Sequence, residues 1–178
     1  MTGPLDGVRA AILTLSDTVA RGQGADTSGD VIAEVLAGLG ATIIRRDVLT
    51  DDRDAISARL IDYADRDGAA LVLTTGGSGF APRDVTPEAT LAVVDRLAPG
   101  LVEAARVQTA VKTPLAMLSR AVAGVRGRTL IVNLPGNPKA VREWLDVLVP
   151  VLHHVVRLLK GDAQPWGQDH RFDVLPPR

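Results

Sequence analysis

The chain has 178 residues, enough for one domain with a sizeable core, and at 46% hydrophobic and 23% charged it has the balance of an ordinary globular protein. A net charge of -1 gives no bulk attraction for nucleic acid or an anionic membrane, so any anion must be bound locally. The absence of cysteine excludes a disulfide framework, a thiolate metal site and a cysteine nucleophile, and with no signal-peptide or membrane-span pattern a cytoplasmic location is expected.

In chain order, the apolar run Val8 to Leu15 predicts a buried parallel strand that delivers Ser16 and Asp17 at its end. A loop over residues 18–27 precedes a helix for which Ser28 is the expected cap, with Val31, Ile32, Val35, Leu36 and Leu39 on one face and Gly40 as the stop. Ser16, Asp17, Asp26 and Ser28 suit either ligand contact or capping. Residues 41–49 read as a second strand, and Thr50-Asp51-Asp52 opens a helix carrying Ile56, Leu60 and Ile61. A third strand, Leu71 to Thr75, completes a β-α-β-α-β order, which implies parallel strands joined by right-handed crossovers.

That third strand runs into Thr74-Thr75-Gly76-Gly77-Ser78-Gly79-Phe80-Ala81-Pro82-Arg83-Asp84-Val85-Thr86-Pro87. Strand, glycine turn and helix start in succession are where open α/β sheets bind ligands. Glycines let a ligand approach the backbone, and successive amides form an anion nest. The hydroxyls of Thr74, Thr75 and Ser78, the fork of Arg83 and the carboxylate of Asp84 together suit a phosphate with Mg²⁺ beside it. The loop is neither a Walker A sequence nor a dinucleotide fingerprint.

Thr86 is the expected cap and Pro87 the first residue of a helix reaching Ala98, followed by a second over residues 101–111. Residues 117–125 and 128–134 predict a hairpin whose second strand enters Asn133-Leu134-Pro135-Gly136-Asn137-Pro138, a second turn with Asn137 as cap and Pro138 at the first helical position. The long helix that follows contains Pro150, which should kink or divide it before Gly161 ends it. Residues 162–178 read as an extended tail that lies across a neighbouring surface through Trp166 and Phe172, leaving residues 1–161 as the single domain. His153, His154 and His170 lack the spacing of a metal site.

Taken together, the stretch from Thr74 to Thr90 and the segment Asn133 to Ala140 resemble the molybdopterin adenylyltransferase family, the MogA/MoaB type that also includes the gephyrin and plant Cnx G domains. The similarity runs from about Val8 to about Lys160. It implies a three-layer α/β/α fold with a mostly parallel central sheet and a small β-hairpin excursion. It also implies transfer of AMP from Mg-ATP to the terminal phosphate of molybdopterin, in a homotrimer or hexamer with a molybdenum-insertion partner protein.

The family's essential acids fall on Asp51 and Asp84, its phosphate and pterin loop on Gly76, Gly77, Ser78 and Gly79, and its substrate walls on Ser119, Arg120 and the loop Asn133 to Lys139, including Pro135 and Gly136. Ser16, Asp17, Thr74, Thr75 and Arg83 join these as expected substrate contacts. Asp51 also suits a helix cap and Asp84 a salt bridge with Arg83. Ser78 stands where many relatives have Thr, and Thr50-Asp51-Asp52 where many have Pro-Asp. The relatives' Pro-Asp, aligned here and counted forward to Ile56 and to Asp84, implies Asp51 as the ligand. A non-catalytic MoaB-like paralogue or scaffold is the alternative activity.

Overall fold

Strands covered on both faces must be apolar on both phases of their alternation, as Arg9–Leu15, Leu71–Thr75 and Thr129–Leu134 are. The computed structural model describes residues 3–161 and builds these runs into the centre of one six-stranded sheet. Its strands are β1 Arg9–Leu15, β2 Thr42–Leu49, β3 Leu71–Thr75, β4 Arg96–Leu97, β5 Ala123–Arg126 and β6 Thr129–Leu134, in the order β2-β1-β3-β6-β5-β4. The first four of that order are parallel, whereas β5 and β4 are antiparallel additions.

The phase of each strand decides which layer its side chains join. Ala10, Ile12, Leu71, Leu73, Leu130 and Val132 face a core closed by α2 Thr27–Gly38, α5 Pro99–Ala110 and α6 Pro138–Lys160. Ala11, Leu13, Leu15, Val72 and Ile131 face the opposite core, closed by α3 Arg53–Ile61 and α4 Thr86–Leu91. The result is the expected α/β/α sandwich. From α6, Trp144, Leu145, Leu148, Leu152 and Val156 are all buried, each stabilising by roughly 1.5–3 kcal/mol relative to exposure.

After β1 the chain winds outward to β2, then returns past β1 to β3. With right-handed crossovers this reversal puts α2 and α3 on opposite faces and leaves a crevice at the carboxyl ends of β1 and β3.

Several expectations need correction. The helix begun at Thr86 stops at Leu91, and Arg96–Leu97 pairs with β5 because the edge of β5 requires backbone partners: Asp95 and Ala98 donate to Val125 O and Ala123 O, both at 2.8 Å. Val85 occupies the cap position, with Thr86 and Pro87 both inside the helix. The first hairpin strand is shorter than expected, because Pro114 starts a 3₁₀ turn over Pro114–Leu118 capped by Thr113. A short helix, α1 Asp17–Ala20, occupies part of the segment read as loop.

Asp26, not Ser28, caps α2, accepting from Gly29 N at 2.9 Å. Helix α6 continues through Pro150 undivided. Its apolar stripe lies on the sheet on both sides of the proline, and that burial outweighs the local cost of roughly 3 kcal/mol. The reading of the tail, with Trp166, His170 and Phe172, lies outside the described residues.

Asp52 caps α3, accepting from Ala55 N at 2.8 Å. Asp52→Asn should leave the melting temperature nearly unchanged, because asparagine caps as well as aspartate, whereas Asp52→Ala should cost about 1 kcal/mol in denaturant titration.

Candidate functional site

The site is built where β1, β2 and β3 end together. Leu15 pairs with Leu49 across β1 and β2, and Ser16 N donates to Leu49 O at 3.0 Å, which brings the segments carrying Asp17 and Asp51 side by side. Ser16 caps α1, its hydroxyl accepting from Val19 N at 3.3 Å. The glycine loop leaves β3 next to them. Gly76 and Gly77 have φ of 94° and 59°, and a Cβ on Gly76 would stand 2.1 Å from Leu15 O. Only glycine allows this approach. Gly136 of the second loop packs on Gly76 in turn, a built Cβ meeting its Cα at 3.2 Å.

Hydroxyl and amide groups lock the loops. Thr86 Oγ1 donates to Gly76 O at 3.0 Å and Thr86 N to Gly77 O at 3.0 Å. Thr75 Oγ1 donates to Pro135 O at 2.6 Å, and Ser78 Oγ to Leu134 O at 3.4 Å, tying the two turns together. Thr74 and Asn133 are fully buried on the α3/α4 face. Asn133 Nδ2 donates to the hydroxyls of Thr74 and Thr90 at 3.0 and 2.9 Å, while its Oδ1 accepts from Val122 N at 3.1 Å. Both side chains are thus engaged within the protein. Asn137 caps α6, accepting from Lys139 N and Ala140 N, and Pro138 is the first residue of that helix.

The charged groups divide into two sets. Arg83 forms an ion pair with Asp17, whose Oδ2 also lies 4.0 Å from Arg21, while Asp17 Oδ1 is buried without a hydrogen-bond partner. Asp51 Oδ1 is likewise buried and unpartnered. It lies beneath Gly77, where a Cβ would stand 2.7 Å away. Asp84 lies beneath Gly79, its Oδ2 2.9 Å from a built Cβ, and accepts from Ala81 N at 2.9 Å. Burial first, and then the neighbouring charge of Asp84, push the Asp51 carboxyl above the ordinary carboxylate range.

An unpartnered carboxylate beside a second carboxylate is a donor set for a hard cation. Among the described residues no group of three or more His, Cys, Asp and Glu is arranged to hold a metal, so such an ion would draw its remaining oxygens from substrate and water.

Arg120, expected at a substrate wall, has its donors engaged within the protein. Its guanidinium turns into the glycine loop, with Nε donating to Gly79 O at 2.6 Å, Nη2 to Asp84 O at 2.7 Å, and Nη1 engaging Glu88. Ser119 lines a cavity of about 380 Å³ with Thr109, Lys112, Trp144, Pro135 and Asn137. Glu88 escapes the sequence reading, which takes Thr86 only as a helix cap and not as the lock on Gly76 O. Thr-Pro-Glu looks like an ordinary helix start, and nothing local pairs it with a residue some thirty positions on.

The sheet order and the crevice at the strand reversal define a doubly wound α/β domain, and the paired acids under a glycine loop suit a phosphorylated ligand. Residues 11–154 match the family profile described as a probable molybdopterin binding domain, and the chain belongs to this family. It is 40% identical over 157 residues to the molybdopterin adenylyltransferase of Helicobacter pylori J99, covering 87% of this chain and 89% of the relative. The crystal structure of the molybdopterin biosynthesis enzyme MoaB from Thermus thermophilus superposes with a TM-score of 0.82 at 50% identity, covering 89% of this chain and 99% of that one. The molybdopterin biosynthesis Mog protein of Mycobacterium ulcerans superposes with a TM-score of 0.80 at 40% identity, covering 86% and 97%.

Proposed function

We propose that this chain is a molybdopterin adenylyltransferase of molybdenum cofactor biosynthesis, transferring AMP from ATP to the terminal phosphate of molybdopterin. The observation that carries the reading is Asp51 Oδ1, buried without a partner in a crevice that already holds the charge of Asp84. That arrangement is costly for an empty protein and suited to one that receives a cation with its substrate.

In the reaction an oxygen of the molybdopterin phosphate bonds to the α-phosphorus of ATP. The bond from that phosphorus to the bridging oxygen breaks, and its electron pair leaves with pyrophosphate. Asp51 and Asp84 would hold a Mg²⁺, which would supply neutralisation of the leaving charge. The amides of Gly76 to Gly79 bind phosphate oxygens, and Arg83 exchanges Asp17 for the polyphosphate. Ser16 and the loop from Pro135 to Pro138 line the approach, so the protein contributes alignment more than covalent chemistry.

Incubation with molybdopterin, ATP and Mg²⁺ should release pyrophosphate in proportion to the pterin consumed. Its absence, with binding of either substrate intact, would favour the non-catalytic paralogue.

The reading extends to a cytoplasmic homotrimer that hands its product to a molybdenum-insertion protein. The apolar stripe of α6 is consumed by the core, but Leu97, Val107, Val111, Leu115 and Met117 remain exposed and supply surface for association. Light scattering across a dilution series should give three times the chain mass, and a monomer at micromolar concentration would refute the assembly.

A further inference from the structure

Three separate parts of the chain meet at Arg120. Its backbone N donates to Ser78 O at 2.8 Å, its Nε to Gly79 O at 2.6 Å and its Nη2 to Asp84 O at 2.7 Å. The side chain therefore spans the loop from the glycines to the acid. The guanidinium has its own anchor on α4, where Nη1 and Nη2 both engage Glu88. A hydrogen bond from Arg120, acting against partial burial, holds the Glu88 carboxyl below its ordinary range, as expected for an ion pair in place.

The segment is fixed from the other side by Arg106 of α5, whose Nη1 donates to Ser119 O at 3.3 Å and Ala121 O at 3.0 Å. By contrast, Asp84 has little else to hold it: beyond Arg120, its hydrogen bonds are those of the local turn between Ala81 and Asp84.

We propose that Arg120 is a positioning residue, and Glu88 its anchor, that together set Asp84 opposite Asp51 instead of contacting the substrate. The inference rests on the adenylyl-transfer reading for its kinetic consequences only. A planar fork with several fixed donors suits this task, because carbonyls of two loop positions and a carboxylate must be held in one plane. Displacing a reacting group by about 1 Å can lower turnover ~100-fold without loosening substrate binding.

The test uses Arg120→Ala, Arg120→Lys, Glu88→Gln and the double variant Arg120→Ala/Glu88→Gln, with steady-state kinetics and hydrogen exchange on the intact protein. Arg120→Ala should lower kcat ~100-fold with KM for Mg-ATP nearly constant, and lysine should restore little because it lacks the fork. Glu88→Gln should lower kcat in the same direction, by ~10-fold, and the double variant should fall no further than Arg120→Ala. A direct substrate contact predicts the opposite: Arg120→Ala would raise KM, lysine would rescue it, and freeing Arg120 by Glu88→Gln would leave kcat untouched or improve binding. That pattern would overturn the proposal.

Independently of activity, amide exchange across residues 78–84 should rise at least ~10-fold in Arg120→Ala and in Glu88→Gln. Unchanged exchange would also overturn it. If the wild-type protein releases no pyrophosphate, the functional reading fails while exchange still decides the role of Arg120.

Discussion

Replacing Asp51 by asparagine is expected to abolish adenylyl transfer while raising the melting temperature in metal-free buffer. The loss of activity follows from removing one of two carboxylates that would hold the cation, an effect of at least ~100-fold for a group aimed at developing charge. The gain in stability follows from the orphaned Oδ1: burial and the charge of Asp84 both penalise the ionised form.

Because the folded-state pKa of Asp51 lies above its ordinary value of 3.8, the group favours the fold when protonated and loses that contribution as pH rises through the folded value. The advantage of the variant should therefore vanish below about pH 3.8 and be complete at neutral pH. Parallel melts across that range check it. A variant that melts below the wild type at neutral pH, or that turns over normally, would remove Asp51 from the site.

Gly76→Ala should be the most damaging single-methyl change in the crevice. Its φ of 94° lies where L-residues are rare, and the new Cβ would stand 2.1 Å from Leu15 O. Neither side can yield easily, since Leu15 ends a central strand paired on both sides and Gly136 packs behind the loop. Strain and clash together should cost ~3 kcal/mol or more, a fall of roughly 6–12 °C in melting temperature for a chain of this size. Gly100→Ala is the control, because a Cβ there meets nothing within 4 Å and the site is helical.

What the sequence conveyed well was what is encoded locally. Gly76 and Gly77 announce a backbone that only they can adopt, Asn137-Pro138 announces a cap and a helix start, and Gly161 with φ of 84° ends α6 as expected. Continuous apolar runs marked the central strands because burial on both faces leaves no other composition.

What stayed hidden depends on partners distant in sequence. Arg120 looks like any cation near a binding loop until its donors are found spent on Gly79, Asp84 and Glu88. Asn133 looks like a loop amide, yet its phase in β6 turns it into the core against Thr74 and Thr90. The two residues of β4 follow from the exposed edge of β5, which no window around Arg96 contains. Asp51 and Asp52 are the instructive pair: adjacent acids of the same chemistry, of which Asp52 satisfies a helix amide and Asp51 is left with a buried oxygen unpartnered.

The crevice is proposed to move an adenylyl group to a pterin phosphate. The most direct measurement follows ATP labelled at the α-phosphorus through incubation with molybdopterin, Mg²⁺ and the protein. Label recovered on the pterin, one per pyrophosphate released and lost in Asp51→Asn, is the predicted result. Label remaining in ATP, or appearing only as free AMP whether or not molybdopterin is present, would contradict it.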